Sequence, residues 1–502
     1  MDQKPRDWTR RFTPFLAVVA LFVGCGAAAP LGKTEPAVAA KRPPNLVVVL
    51  LDDADVEITE AMPRLRTLFF DKGVRFSSHI ANTPLCGPSR AILMSGQYAH
   101  NNKVYYNNGP EGGYTPWQKG GYDEHSLGSW LQVLGYRTGL FGKYINDYPT
   151  GQAETLVPKG WDDFRGILSD REAHNIHFTM NENGALKLYE ASKGGYQTDV
   201  LSARMDSFIR AKTAADKPFF AFLSLSAPHV PPEPAERHLK EFAGETAPRK
   251  PSYNEADLSD KPKALREQSQ PLTKADARQI DVTYREMKQS LLSVEDAMET
   301  LIKTLTETGE LSRTYIFFTS DNGWFRGEHR IPGEKYAPYE ESIRVPMIVR
   351  GPGVPEDRVV DNVIGIVDLA PTLLDLAGAP ETELSQRDGR SYAPFLAPAS
   401  KAPIPWREST LIEHFGGGAP FRVRSYSGVR SENDVYIEYV TGEKEYYDLR
   451  KDPYQMDNQA ASLKPADASR LSARVAALKD CVAEACRKAE NGAAAPPGSK
   501  PE

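Results

Sequence analysis

The sequence predicts an α/β protein: a large mixed, mostly parallel sheet flanked by helices on both faces, followed by a smaller C-terminal α+β subdomain. Three observations predict it. Runs at 45–51, 218–225 and 315–319 are apolar at nearly every position, without polar alternation, as strands buried on both faces require. Stretches with helical spacing lie between them, so helices and strands alternate along the chain. The runs end in polar residues, namely Asp52-Asp53, His229 and Asp321-Asn322. Sites in open α/β sheets lie outside the carboxyl ends of the strands, so these residues are expected to converge.

Residues 1–40 read as an export signal. Lys4, Arg6, Arg10 and Arg11 precede an apolar run over 15–23, and Ala37-Val38-Ala39 fits a cleavage site. The run is shorter than the ~20 residues a membrane span needs, so no transmembrane helix is expected in the mature chain. A secreted or periplasmic protein is predicted. Val23-Gly24-Cys25 resembles a bacterial lipobox. Cys25 is then either a lipid-anchored N-terminus on the cell envelope or lost with the leader; both readings stand.

A catalytic domain is expected over 41–404. The strand at 45–51 opens it, and a helix follows at 62–70. A second helix, 126–134, runs through Gly135 into a strand at 138–141. The strand at 218–225 leads to Pro228-His229. Residues 240–275, rich in Lys, Pro, Asp and Ser, are expected to form a surface insertion, a candidate lid. Helical spacing over 276–308 puts Met287, Leu291, Val294 and Leu301 on one side, and Gly309 stops the helix. Strands follow at 315–319 and 345–349. From 405 to 490 the pattern changes to short strands such as 435–440, a turn-rich stretch at 447–453 and a final helix.

Composition narrows the function. Apolar residues make up 40% of the 502 and charged residues 25%, ordinary for a globular protein. A net charge of -6 gives no basic surplus for a nucleic-acid partner. An anionic substrate must therefore be met by local positive charge. Of the four cysteines, Cys481 and Cys486 are five residues apart and face different ways on a straight helix, so they pair only if a helix ends between them. With Cys25 in the leader, Cys86 stands alone.

Cys86 opens Cys86-Gly87-Pro88-Ser89-Arg90, continuing to Ser95-Gly96. Pro88 suits a first helical turn, which puts Cys86 at a helix N-terminus, where free N–H groups favour an anion. Arg90 lies one turn on, on the same face. A lone cysteine is ordinarily structural, but the Pro-Ser-Arg context is not ordinary. The stretch resembles the signature of the sulfatases, C-x-P-S-R. The resemblance extends over about 44–460 through Pro44-Asn45, Asp52-Asp53, Gly142-Lys143-Tyr144, Ala227-Pro228-His229, Ser320-Asp321-Asn322-Gly323 and Tyr447-Asp448-Leu449. It implies an alkaline-phosphatase-like fold and a sulfuric ester hydrolase. It also implies that a formylglycine-generating enzyme oxidises Cys86 to formylglycine (3-oxoalanine).

Asp52, Asp53, Asp321 and Asn322 offer hard oxygens only, which suits Ca2+, with Mg2+ the alternative, over zinc. By the resemblance, Cys86 as formylglycine supplies the remaining ligand. Arg90, Lys143 and Lys335 are then expected to stabilise the sulfuryl oxygens, and His229 to protonate the departing alcohol. Lys335 lies in Gly333-Glu334-Lys335-Tyr336-Ala337-Pro338, which resembles the family's later active-site segment. Asn146 is an expected substrate contact; His329 and His100 lie beside motifs and are readable either as substrate contacts or as simple packing. Arg424 and His414 are further ones, each equally readable as structural. Ile145 stands where many arylsulfatases carry a histidine, which leaves the eliminating base unassigned. The Gly-Lys-Tyr-Ile-Asn form looks like the branch of N-acetylglucosamine-6-sulfatases and heparan-sulfate sulfatases, implying a sulfated carbohydrate substrate. A phosphonate or phosphate ester hydrolase on the same scaffold is the alternative. A non-catalytic, surface-anchored binding protein is the third reading.

Overall fold

The first strand, Asn45–Leu51, lies near the middle of a ten-stranded sheet. The protein is described here by a computed structural model over residues 42–168, 175–211, 217–398, 404–416 and 423–491. The chain divides after Arg42 into two units, Met1–Arg42 and Pro43–Glu502. The first, with the export signal and Cys25, lies outside the described residues apart from Arg42. Among the described residues no helix is long and apolar enough to cross a membrane.

Five central strands run parallel in the order Thr314–Ser320, Asn45–Leu51, Phe219–Ser224, Arg137–Gly142, Asp163–Ile167. Every residue of Asn45–Leu51 is buried. Its side chains alternate between two cores because successive Cβ atoms point to opposite faces. Val47, Val49 and Leu51 pack in the core that contains Met287, Leu291, Val294 and Met298 of the helix Lys274–Glu307. Leu46, Val48 and Leu50 pack in the core that contains Ile92 and Leu93 of the helix Cys86–Ser95. Each such Leu or Val, fully buried, contributes about 1.5–3 kcal/mol. The long helix starts at a capping box in which Thr273 and Asp276 satisfy each other's backbone N–H groups.

The sheet is mixed because its flanks turn antiparallel. The expected strand at 345–349 begins later, at Met347–Arg350, and pairs antiparallel to Thr314–Ser320. Pro346 has no N–H to give a ladder, so the strand starts after it. On the other flank His177–Glu182 and Ala185–Glu190 form a hairpin that the pattern of apolar runs did not predict. Its turn is Asn183-Gly184, with φ of 53° and 93°, the conformation such two-residue turns demand. The expected helix at 62–70 is shorter, Pro63–Leu68, with Pro63 at its first position.

Beyond residue 405, Ser409–His414, Tyr426–Ser431, Asp434–Tyr439 and Lys444–Asp448 make an antiparallel four-stranded sheet. Helix Pro465–Leu478 follows, and a disulfide joins Cys481, in the break after that helix, to Cys486 in the first turn of helix Glu484–Ala489. The break supplies the helix end that this pairing needs. The segment at 240–275 carries the helix Lys263–Gln268 and is pinned down along its length. Asn254 N–H donates to Gly327 O at 2.8 Å, Arg330 donates to Glu255 O and Ala256 O, and Lys261 Nζ donates to Met456 O at 2.8 Å.

Candidate active site

Two neighbouring parallel strands deliver the acids. Asn45–Leu51 ends into Asp52-Asp53, and Thr314–Ser320 ends into Asp321-Asn322. Asp53 turns the chain sharply with φ of 65°. Asn322 Nδ2 donates to Asp53 Oδ1 at 2.6 Å, so the two pairs meet. All four residues are fully buried.

The helix Cys86–Ser95 points its N-terminus at this junction. Cys86 Sγ lies 3.3 Å from Asp52 Oδ1 and accepts from Lys335 Nζ at 3.0 Å. Gly87 N–H, next in the first turn, donates to Asn107 Oδ1 at 2.8 Å. Arg90 reaches back from one turn on. Its Nε donates to Asp321 Oδ2 at 2.8 Å, its Nη2 to Asp52 Oδ2 at 3.0 Å and its Nη1 to Ser224 Oγ at 2.6 Å. Lys143 follows the strand Arg137–Gly142 and pairs with Asp52 at 2.5 Å. Gly142 allows this approach: its φ is 119°, and a Cβ there would lie 1.9 Å from Ser224 O. Lys335 also donates to Asp53. His229 Nε2 lies 3.6 Å from Asp53 Oδ2.

Burial and charge oppose each other here. Burial alone would raise the pKa of Asp52, but Lys143, His229, Arg90 and Lys335 hold it well below the usual carboxylate range. Asp321, raised by burial and by the charge of Asp52, is pushed to about 6. Burial would discharge Lys335, yet Asp53 keeps its pKa well above the ordinary value. Burial, aided by Asp52, pushes the Cys86 thiol up to about 12, so the unmodified thiol is protonated at neutral pH.

The donor set fits a divalent cation. Asp53 Oδ2 and Asn322 Oδ1 are buried and make no hydrogen bond among the described residues, an arrangement that is costly unless something positive meets them. Ligand atoms of Asp52, Asp53, Cys86 and His229 lie within 4.8 Å of one another. This quartet includes His229, expected as an acid, while Asp321 spends one oxygen on Arg90.

A cleft of about 370 Å³ opens over the cluster, lined by Asp52, Lys143, His229 and Asn146. Asn146 Oδ1 is buried in it without a partner among the described residues. Asn107, Asn108, Asp147 and Asn175 also line this cleft. They were not singled out from the sequence, and only Asp147 carries a local signal, its adjacency to the Gly-Lys motif. His100 and His329 do not line the cleft. His100 is held by Glu413 Oε2 at 2.9 Å and by Cys481 O at 2.9 Å. His329 is fully buried, bonded to Glu255 at 2.6 Å and packed on Tyr339. His414 is buried between Tyr336 and Tyr426. Arg424 borders a small apolar recess beside Lys335.

A family model described as Sulfatase matches residues 44–379, and one described as N-sulphoglucosamine sulphohydrolase, C-terminal, matches 327–480. N-acetylglucosamine-6-sulfatase of Capra hircus is 34% identical over 483 residues, covering 89% of this chain and 85% of that protein. A solved structure described as a complex with its substrate D-glucosamine-2-N,6-O-disulfate is similar at a TM-score of 0.74 and 24% identity, over 90% of this chain and 100% of that one. Phosphonate monoester hydrolase of Agrobacterium radiobacter is similar at 0.63 and 22%, over 85% and 92%. At these identities the two structures speak for the fold alone.

Proposed function

This chain belongs to the sulfatase family and is a sulfuric ester hydrolase, and from that premise we propose that it desulfates a 6-sulfated N-acetylglucosamine unit of a glycosaminoglycan, using a formylglycine made from Cys86 and a bound Ca2+. The observation that carries this reading is the setting of Cys86. It is buried at a helix N-terminus, touching Asp52 and Lys335, with a thiol too weakly acidic to serve as a thiolate. Its Sγ stands in for an oxygen of the hydrated aldehyde. A geminal diol can attack sulfur with one hydroxyl and expel sulfate with the other, which a serine cannot do.

The chain's own groups divide the remaining work. Asp53 Oδ2 and Asn322 Oδ1, with Asp52 and Asp321 beside them, would hold the cation. When bound, the cation supplies Lewis-acid polarisation of the sulfuryl oxygens. Arg90 fixes Asp52 and Asp321 in place for it. Lys143 and Lys335 offer ammonium groups to the charge that develops on sulfate. His229, open to the cleft, passes a proton to the leaving oxygen. Asn146 presents an unpaired amide oxygen to a sugar hydroxyl or N–H.

The substrate assignment draws on the 34% identical relative named for N-acetylglucosamine 6-sulfate, and export draws on the leader sequence. The test is release of sulfate from N-acetylglucosamine 6-sulfate and from defined heparan-type saccharides, beside a phosphonate monoester. Turnover of the sulfated sugar is expected. Preference for the phosphonate would replace this reading with the alternative.

A further inference from the structure

We infer that Tyr426, in the C-terminal sheet, is a positioning residue for the sulfate-contacting Lys335. The observation behind it is the backbone of the next residue. Tyr336 has φ of 81°, a left-handed conformation that is costly for a bulky side chain. Such a conformation persists only where the surroundings over-determine it.

Here the surroundings are the C-terminal strands. Tyr426, 2% exposed, donates its hydroxyl to Tyr336 O at 2.8 Å. The residues that follow are held from the same side. Tyr339 OH donates to Glu445 at 2.9 Å, and Arg430 forks onto Glu340 at 2.8 and 3.0 Å. Glu340 N–H donates to Gln455 at 2.8 Å. Lys335 is itself 4% exposed and places Nζ on both Cys86 and Asp53. A long side chain ending on two such partners tolerates little drift of its own backbone. The carbonyl that Tyr426 grips is one residue from that backbone, so the C-terminal sheet acts on the site through the segment that carries Lys335.

This rests on the sulfatase reading only in taking Lys335 as a group that contacts sulfate. The test is a double-mutant cycle in the full chain, Tyr426→Phe in the parent and in Lys335→Ala. It is read in kcat/KM for a fluorogenic sulfate ester and in affinity for inorganic sulfate, which stays measurable when turnover is lost. Removing the hydroxyl is expected to lower both about fivefold to tenfold in the parent and to change neither in Lys335→Ala. Tyr436→Phe is the control. It deletes a hydroxyl of the same sheet that donates to Glu438, and it is expected to leave both readouts unchanged. Glu340→Gln, which weakens the hold through Arg430, repeats the cycle should Tyr426→Phe not fold. An undiminished Tyr426→Phe, or an equal loss with and without Lys335, overturns the inference. A parent that turns over no sulfate ester overturns the proposed function instead, while the sulfate-affinity cycle still decides this one.

Discussion

Arg90 Nε donates to Asp321 Oδ2 at 2.8 Å, which ties the helix that begins at Cys86 to a strand end 231 residues further along the chain. The same guanidinium reaches Asp52 at 3.0 Å. Together with Lys143, which pairs with Asp52, it offsets the charge of two buried carboxylates before any metal arrives.

Replacing Arg90 by Ala strands those carboxylates. Removing one partner of a buried ion pair costs about 3–5 kcal/mol. A loss of that size is expected for Arg90→Ala in urea unfolding of the metal-free protein. Arg90→Lys keeps the charge but lacks the fork that spans both acids. Its kcat is expected to fall by about a hundredfold or more.

Metal should stabilise the fold through Asp53 and Asn322. A ligand at a hundred times its Kd adds about 2.7 kcal/mol. Calcium is therefore expected to raise the melting temperature of the chelator-treated parent, and to leave Asp53→Ala unmoved. An equal rise in both would place the ion elsewhere.

Gly142 has no room for a methyl group. With φ of 119° and Ser224 O in the way, Gly142→Ala must shift the strand end that carries Lys143. Destabilisation by about 2 kcal/mol or more is expected, with loss of activity beyond what the fraction unfolded explains. Calorimetry and kcat on the same preparation check it.

His100 gives a pH signature away from the cluster. Burial would lower its pKa, but the hydrogen bond and charge of Glu413 raise it above the ordinary 6.5. A raised folded pKa means stability present in full below the unfolded value and lost as pH rises through the folded one. The melting temperature of the parent is thus expected to exceed that of His100→Gln more at mildly acidic than at alkaline pH.

The parallel strands were legible because burial on both faces leaves an unbroken apolar run, and such runs end where polar residues begin. The two acid pairs were legible for that reason, and Cys86 and Arg90 through the helix-start geometry together with the sulfatase signature that their stretch resembles. His100 stayed open between contact and packing because it follows the Cys86 motif closely, while Glu413, which holds it, lies 313 positions away. His329 stayed open in the same way, since Glu255, which holds it, sits in a polar segment with no periodicity. Asn107, Asn108 and Asn175 come from irregular loops, where no spacing marks a side chain that turns inward. Asn183-Gly184 did carry a hairpin signal, passed over because the strand at 185–190 is too exposed to look apolar. The Cys481–Cys486 pair stayed open because a helix break at Ala483, φ 49°, is not written in the residues around it.

The central claim is tested most directly at Cys86 itself. Protein made with and without a formylglycine-generating enzyme is compared by peptide mass and by sulfate release from N-acetylglucosamine 6-sulfate. The account predicts that aldehyde content and turnover rise together, and that Cys86→Ala has neither. Turnover by Cys86→Ala at the parent rate, or by protein whose Cys86 is entirely thiol, would contradict it.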